Sequence, residues 1–415
     1  MKTLFLATMV STLLMSIMAS STPAANRAKA IAPSLSSDKV QLVQSVPLET
    51  DLALPEIPHA YTEWVRYIHD AKQTIDIEQM YLWNGTASDP GNRGGSRLEP
   101  ILKELEDAGT RGVKIRFILS KNMLNNDPDT LTRLRKIPGL ELRNLDLSRR
   151  GNGIQHAKFF IFDSQYVFVG SQNFDARSIT HIHELGVRVE DAGVTARLQA
   201  VFDTDWVLCL GPTEPVPTTV RKFPDLAPGI TFLAGPAQLN PPGINTSIDG
   251  LLALIHSAKK HIRLQVMDFS ILKYGSSEIW SALDLAFRDA AARGVKIDFL
   301  VSNWNTESSE IGELKSLGKV PNIDLRIVTI PEFSGGFIPY ARVAHSKYMI
   351  VDDEKLWIGT SNFEWSYFYT TRGIEFIFSD LGLTRQANEI FDKLWTAPYT
   401  EAIQQDRIYP TPRKG

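Results

Sequence analysis

Segments with the apolar spacing of helices alternate along the chain with segments rich in strand-forming residues. Helices are predicted at about residues 61–72 and 98–109, and strands at 74–83 and 113–119. A glycine follows the second helix directly before the next strand, which is typical of a helix C-cap. Alternation of this kind predicts an α/β fold in which helices cover a mixed or parallel sheet.

The same order of elements occurs a second time. Helices are predicted at about residues 247–260 and 278–293, and strands at 261–269 and 295–301. Short phrases repeat as well: Arg111–Ile115 returns as Arg293–Ile297 after 182 residues, and Ile68–Lys72 returns as Ile255–Lys259 after 187. Further strands are predicted at 140–145 and 323–330. Landmarks in the same order at a nearly constant offset predict a duplicated domain with two similar mixed sheets.

The segments outside the repeats set the predicted domain boundaries. A basic N-terminus, an apolar run of about 15 residues and a following stretch of small residues predict a signal peptide over 1–25. The apolar run is short for a membrane anchor, because a bilayer span needs about 20 apolar residues. Residues 26–50 are polar and lack periodicity, so we expect a loose or surface-hugging N-terminal arm. A first domain over 51–210, a Pro-rich linker over 211–230, a second domain over 231–400 and a C-terminal tail over 401–415 complete the prediction.

Composition excludes several classes of protein. With 415 residues, 43% hydrophobic and 22% charged, the chain is neither disordered nor collagen-like. A formal net charge of -3 excludes a global attraction to nucleic acid or anionic lipid, so any such binding must be local. Cys209 is the single cysteine, which excludes an intramolecular disulfide and a zinc-binding cysteine cluster. An exported chain without a disulfide fits a periplasmic or secreted bacterial enzyme.

Candidate chemistry lies in a motif that occurs once in each repeat. The first copy is His156-x-Lys158, four residues, Asp163, six residues, then Gly170-Ser171-Gln172-Asn173. The second has identical spacing, and its residues are His345, Lys347, Asp352, Gly359, Thr360, Ser361 and Asn362. Two matches at the same spacing inside a repeat exclude an accident.

Strand periodicity places part of this motif on one face. If residues 154–162 form a strand, His156, Lys158 and Phe160 project from the same side. Asp163 has the opposite parity and begins a predicted hairpin turn. We therefore favour an orienting or turn-capping role for Asp163 and Asp352, with direct proton transfer as the alternative.

Two histidines, two lysines and two asparagines meeting across a pseudo-twofold interface would form a cluster of hydrogen-bond donors. No carboxylate ligand set accompanies them, so the cluster favours an anion over a metal. In a phosphodiester the non-bridging oxygens would be neutralised by the lysines and asparagines. One neutral imidazole would attack phosphorus and the other, protonated, would supply the leaving oxygen with its proton, which predicts a bell-shaped pH profile.

The sequence resembles the phospholipase D superfamily, whose HxKxxxxD signature both halves match. Within the superfamily it is most similar to the lumenal phospholipase-D-like exonucleases and their poxvirus relatives, through Gly170–Ser178, Glu184–Val187 and Ile338–Val343. The resemblance implies a duplicated fold with the active site at the pseudo-twofold interface. It also implies that His156 is the nucleophile, that His345 is the general acid, and that no metal or other cofactor is needed. The phosphate-binding set would be Lys158, Lys347, Asn173 and Asn362.

Members of the family also place an acidic residue after each motif to hold a catalytic imidazole. Glu184 fits this position, 11 residues after Asn173. Glu375 lies 13 residues after Asn362, so it is either the second such acid or a strand residue that faces solvent. An adjacent carboxylate would raise the pKa of its histidine.

Three functions compete at this point: a nuclease for single-stranded nucleic acid, a phospholipase D that removes lipid head groups, and a non-catalytic scaffold. Intact motifs in both halves argue against the scaffold. Aromatic residues near the second motif would stack bases or contact acyl chains, and a phospholipid substrate would bring the chain into transient contact with a membrane surface. We assign substrate contacts to Ser171, Thr360, Arg177, Tyr340, Trp365 and Tyr367.

Overall fold

The computed structural model describes residues 39–92, 95–273, 276–307 and 310–415. The predicted signal peptide lies outside these residues, as does most of the predicted N-terminal arm. Among the helices of the described ranges, none has the length and apolar composition that a membrane span requires.

The first half of the chain builds a seven-stranded mixed sheet. Its strands lie in the order β1-β9-β7-β6-β2-β4-β5, and β3 pairs with β8 beside it. The strands are β1 (Val40–Ser45), β2 (Thr74–Gln79), β3 (Leu82–Trp83), β4 (Lys114–Ser120), β5 (Leu140–Leu145), β6 (Phe159–Phe162), β7 (Tyr166–Gly170), β8 (Phe174–Asp175) and β9 (Glu184–Val189). The helices are α1 (Ala60–Asp70), α2 (Glu99–Thr110), α3 (Pro128–Leu134), α4 (Ala176–Thr180) and α5 (Ala192–Leu208).

The second half repeats this architecture in a nine-stranded sheet. Its order is β11-β10-β17-β16-β15-β12-β13-β14-β18. The strands are β10 (Ile230–Gly235), β11 (Asn245–Thr246), β12 (His261–Val266), β13 (Lys296–Ser302), β14 (Ile323–Val328), β15 (Tyr348–Val351), β16 (Lys355–Gly359), β17 (Gly373–Phe378) and β18 (Thr400–Ala402). The helices are α6 (Ser247–Ser257), α7 (Ala282–Ala292), α8 (Ile311–Leu317), α9 (Trp365–Tyr369) and α10 (Leu381–Trp395). In both halves parallel and antiparallel pairs mix, as the sequence predicts.

Three large hydrophobic clusters form most of the core, and the largest of them joins the two halves. The largest core cluster contains residues of both halves and includes Phe159, Phe202, Tyr348 and Phe391. A second cluster packs α6 and α7 on the far face of the second sheet, and a third packs α1 and α2 on the far face of the first. Because the largest cluster is shared, burial of one half's apolar surface depends on the other half.

Several predicted boundaries differ from the structure. Val40–Ser45, assigned to the N-terminal arm, forms an edge strand that pairs antiparallel with β9, because its apolar residues alternate onto the core. The predicted strand over 154–162 begins only at Phe159, so His156 and Lys158 lie in the extended segment before β6. Thr400–Ala402, at the start of the predicted tail, pairs with β14. Residues 211–229 contain no helix or strand.

Candidate active site

The segments that carry the two histidines are held by backbone bonds from the opposite half. His183, just before β9, donates its N–H to Val343 O (3.0 Å), and His345 N–H donates to His183 O (2.9 Å). The second half mirrors this: Arg372, just before β17, donates to Ile154 O (3.0 Å), and His156 N–H donates to Arg372 O (3.2 Å). Each motif histidine is therefore placed by the half to which it does not belong.

Both imidazoles line one cavity of about 530 Å³. Lys158 and Lys347 are fully buried beside it, and each ammonium donates to the backbone oxygen of its own motif histidine, Lys347 at 2.5 Å. Asn173 also lines the cavity, and its Oδ1 has no hydrogen-bond partner among the described residues. The structure thus brings the predicted donors from both halves to one place.

The two histidines have different neighbours. His345 Nδ1 lies 2.7 Å from Glu184 Oε2, and Ser178 Oγ donates to the other carboxylate oxygen at 2.7 Å. Burial lowers the pKa of His345, while the charge of Glu184 opposes that shift. Burial would raise the pKa of Glu184, but His345 and Lys347 hold it below its usual range. Glu184 is therefore ionised and positioned to stabilise the imidazolium form of His345.

No carboxylate pairs with His156 in the described part of the chain. Its Nδ1 is buried without a hydrogen-bond partner there. Burial, followed by the charges of Lys158 and Lys347, lowers the pKa of His156 well below the ordinary value, although a contact with the backbone of Thr360 opposes that shift. His156 is accordingly the histidine that stays neutral.

Glu375 is not the counterpart of Glu184. Glu184 lies opposite Ser45 across β1 and β9, and at the same place in the second half Gly373 lies opposite Gly235. Glu375 itself is fully buried, where it accepts hydrogen bonds from Ser247 and Ser361. Burial raises its pKa to about 7. The alternative of a solvent-facing strand residue is wrong, since two serine hydroxyls satisfy this carboxyl inside the protein.

Burial and mutual repulsion disfavour the charged forms of the two motif lysines. Burial lowers the pKa of Lys347 to about 8, and burial together with Lys347 lowers the pKa of Lys158 well below its usual range. An anion bound between them would favour their charged forms. Asn362 is fully buried, and its Nδ2 donates to the Tyr367 hydroxyl (3.2 Å) and to Asp268 Oδ2 (3.4 Å).

The motif aspartates accept hydrogen bonds from backbone N–H groups and do not line the cavity that contains the histidines. Asp163 accepts the N–H groups of Lys72, Gln73 and Thr74 at 2.7–2.8 Å. Asp352 accepts those of Lys259, Lys260 and His261 at 2.7–3.0 Å. Each aspartate has a positive φ at the turn after its strand. This placement favours the turn-capping role over proton transfer, because the carboxylates tie the hairpin to the neighbouring strand.

The residues assigned to substrate contact divide into two groups. Arg177, Tyr340 and Tyr367 line the cavity with the histidines. Ser171 and Thr360 do not, since both are fully buried and their hydroxyls bind the backbone of Leu185 and Ile374. Trp365 is likewise absent from the lining and stacks on Tyr369 of the same helix.

Arg177 marks one side of this cavity. Asp175 holds its guanidinium with bonds of 2.8–3.1 Å, and the guanidinium lies 3.9 Å over the Trp83 ring. Methionine and tryptophan side chains supply much of the remaining wall, namely Met80, Met123, Met267, Trp83 and Trp304. This wall combines one cation with aromatic and apolar surface.

A second cavity of about 500 Å³ opens beyond Tyr367 and is acidic. Its carboxylates were not singled out by the sequence analysis; they are Asp268, Glu307, Glu310 and Glu364. Burial and Glu310 raise the pKa of Asp268 to about 7, and burial and Asp268 raise the pKa of Glu364 to about 8. Alignment of the two repeats could have identified part of this acidic cluster. Glu364 aligns with Asp175, but Ser366 stands where the first half has Arg177, the partner of Asp175, so the second half lacks that arginine.

The geometry suits attack on a tetrahedral anion. A neutral imidazole and an imidazole paired with a carboxylate face one cavity, which Asn173 also lines. The charges of Lys158 and Lys347 act on both histidines. Within the described ranges no group of three or more His, Cys, Asp or Glu side chains could hold a metal ion. The arrangement can provide a nucleophile, a proton donor and oxyanion stabilisation from side chains alone.

Comparison with known proteins agrees with this geometry. The family model described as "Cardiolipin synthase, PLD-like domain" matches residues 64–206 and 251–395, once in each half. Phospholipase D Z of Dictyostelium discoideum is 31% identical over 393 residues, which cover 87% of this chain and 90% of that protein. The 5'-3' exonuclease PLD3 of Macaca fascicularis is 30% identical over 408 residues, which cover 90% and 82% of the two chains.

A solved structure supports the fold alone. The chain resembles phosphatidylserine synthase of Haemophilus influenzae Rd KW20 with a TM-score of 0.62 and 12% identity, over 89% of this chain and 88% of that one. The predicted architecture, two similar mixed sheets flanked by helices, is therefore confirmed.

Proposed function

Because the chain belongs to the phospholipase D superfamily of phosphodiesterases, we propose that it hydrolyses phosphodiesters through a covalent phosphohistidine on His156. One observation carries the assignment of roles: Glu184 pairs with His345, and no described carboxylate pairs with His156. A nucleophilic imidazole must be neutral, whereas a proton donor must be charged. The two environments favour those two states.

The proposed reaction has two steps. His156 attacks phosphorus while the bond from phosphorus to the leaving oxygen breaks, and that oxygen takes the proton of His345. Water then attacks the phosphohistidine and loses a proton to His345, and the nitrogen–phosphorus bond breaks. Lys158, Lys347, Asn173 and Asn362 stabilise the non-bridging oxygens as negative charge develops on them.

Single-stranded nucleic acid is the substrate that we favour. The wall of Trp83, Trp304 and Tyr340 offers rings on which bases stack, and Arg177 adds a cation beside it. Phospholipid is the second candidate, because three methionines give the same cavity an apolar surface that accommodates acyl chains. The names of the relatives, an exonuclease and a phospholipase D, support both candidates.

We also propose that the protein is exported, with a signal peptide over residues 1–25 that is removed. Protein recovered from the exported fraction should begin after residue 25, as measured by intact mass.

The purified protein should cleave bis-p-nitrophenyl phosphate in the presence of EDTA. It should also release nucleotides from a fluorescent single-stranded oligonucleotide faster than head groups from phosphatidylcholine vesicles, and faster vesicle hydrolysis would reverse the order of the two substrates. Loss of all activity in EDTA, restored by a divalent cation, would contradict the mechanism.

The pKa shifts predict the pH dependence of the free enzyme. The ascending limb of kcat/KM requires neutral His156, and the descending limb requires protonated His345. Because both pKa values lie below the ordinary value of 6.5, we expect an optimum for kcat/KM that is more acidic than pH 6.5. The kcat profile should lie at higher pH, since a bound phosphate anion favours protonation of both histidines.

Replacing Glu184 by Gln should shift only one limb of the pH profile of kcat/KM. Loss of the carboxylate removes the charge that favours imidazolium at His345, so the descending limb should move to lower pH while the ascending limb stays. We expect kcat/KM near pH 7 to fall by roughly 10²- to 10⁴-fold. Glu190→Gln is the matched control, because Glu190 directly follows the same strand, is exposed and accepts a hydrogen bond from Arg188 at 2.7 Å. A shift of the ascending limb instead would reverse the roles of the two histidines.

A further inference from the structure

Among the described residues no carboxylate pairs with His156, and its imidazole contacts the backbone of Thr360. Register places Gly373 where Glu184 would have its counterpart, so no side chain is present at that position. Glu375 occupies the adjoining space but bonds to serines. The two halves therefore cannot orient their histidines by the same contact.

Tyr367 contacts His156 directly. The two ring centroids lie 4.8 Å apart with an interplanar angle of 84°, an edge-to-face arrangement. The tyrosine hydroxyl accepts a hydrogen bond from Asn362 Nδ2 at 3.2 Å. Its backbone N–H donates to Glu364 O at 3.2 Å, which fixes the residue within the short helix α9. One side chain thus links the His156 imidazole to a phosphate-binding amide.

The repeat shows that this position has diverged. Tyr367 lies five residues after Asn362, and Ser178 lies five residues after Asn173. Ser178 donates to Glu184, and Glu184 in turn binds His345. In the first half the position therefore supports a carboxylate that binds a histidine, whereas in the second half it carries a ring that contacts the histidine itself.

We propose that Tyr367 is the positioning residue for His156, a role that rests on the proposed function of His156 as nucleophile. A carboxylate in its place would orient the imidazole but would also favour its protonated, non-nucleophilic form. An edge-to-face ring contact fixes the plane of the imidazole without adding negative charge. Tyr367 thus orients the nucleophile and leaves it neutral.

Variants at residue 367 separate this role from substrate contact. We expect Tyr367→Phe, which keeps the ring, to form the phosphohistidine within about threefold of the wild-type rate. Tyr367→Leu removes the ring, and we expect that rate to fall about 10²-fold, the loss typical of a misplaced reacting group, with a smaller change in KM. The measurement is single-turnover labelling with bis-p-nitrophenyl phosphate, followed by mass spectrometry of the rapidly quenched protein.

Tyr369→Leu is the matched control, because Tyr369 ends the same helix and its ring packs on Trp280 and Trp365 instead of on His156. Its labelling rate should equal that of the wild type. A Tyr367→Leu protein that labels at the wild-type rate, or that changes only in KM, would overturn the proposal. Thermal denaturation of each variant identifies a loss caused by unfolding, and equal losses in Tyr367→Phe and Tyr367→Leu would assign the effect to the hydroxyl and contradict the role of the ring.

These outcomes are distinct from failure of the proposed function. If the wild-type protein forms no phosphohistidine while it hydrolyses the substrate, the covalent mechanism fails whatever the variants do. If the wild-type protein and Tyr369→Leu label normally, the result at residue 367 tests the positioning role alone.

Discussion

Replacing His156 by Ala should lower kcat by roughly 10⁴- to 10⁶-fold and abolish the covalent intermediate, because the attacking nitrogen is removed. Replacing His345 by Asn should give a different defect. With bis-p-nitrophenyl phosphate the leaving group departs as a stabilised phenolate and needs little protonation, so the intermediate should still form. Its hydrolysis should then be slow, since the group that activates water has been lost. Mass spectrometry of quenched protein should find an added p-nitrophenyl phosphoryl group on the His156 peptide, because only one of the two p-nitrophenolates leaves in the first step.

The structure explains why these two variants should not be equivalent. Glu184 favours the charged form of His345, and the environment of His156 favours the neutral form. A label that survives in His156→Ala and is lost in His345→Asn would exchange the two roles. A label absent from both variants and from the wild type would remove the covalent step altogether. Lys103→Ala, an exposed change on α2, serves as the unaffected control.

Replacing Arg372 by Met should cost about 3–5 kcal/mol of unfolding free energy, the loss expected when one partner of a buried ion pair is removed. Arg372 is fully buried and donates to Asp205 Oδ1 (2.7 Å), Asn240 Oδ1 (2.9 Å) and two backbone oxygens. Without it, Asp205 would remain buried near Glu78, whose pKa burial already raises. Urea denaturation followed by circular dichroism measures the loss.

The other half of the chain supplies the control for this prediction. Phe202, Asp205 and Trp206 on α5 align with Phe391, Leu394 and Trp395 on α10, so the second half has an apolar residue in place of Asp205. The double variant Arg372→Met with Asp205→Leu removes both charges and should recover much of the lost stability. Equal stability of the single and double variants would show that the loss comes from the other bonds of Arg372.

The sequence predicted the duplicated α/β fold because its landmarks recur at nearly constant spacing, and it predicted the His156 and His345 motifs because five residue types recur within them. Strand 140–145 agrees with the structure at both ends. The local sequence pattern predicted strands less well where strand formation depends on pairing with a distant strand. Val40–Ser45 was assigned to an arm, although β9 provides its pairing partner.

Residue spacing along the sequence could not predict that the two motif histidines have different neighbours. Counting residues made Glu375 a candidate for the second acid that holds a catalytic histidine, whereas strand register assigns that position to Gly373. Ser171 and Thr360 were assigned to substrate contact as residues of the motifs, and Trp365 as an aromatic residue close to the second motif in sequence. Their side chains bind backbone or lie on another face of a helix, and only tertiary structure fixes those directions.

The exchange of backbone bonds between His183 and His345, and between Arg372 and His156, has an evolutionary consequence. An ancestor with one repeat would have needed a second copy to seat its histidine, and two identical copies would have given both imidazoles identical surroundings. Two copies joined in one chain are free to differ. Here the first copy has Glu184 where the second has Gly373, so the two imidazoles have different electrostatic surroundings.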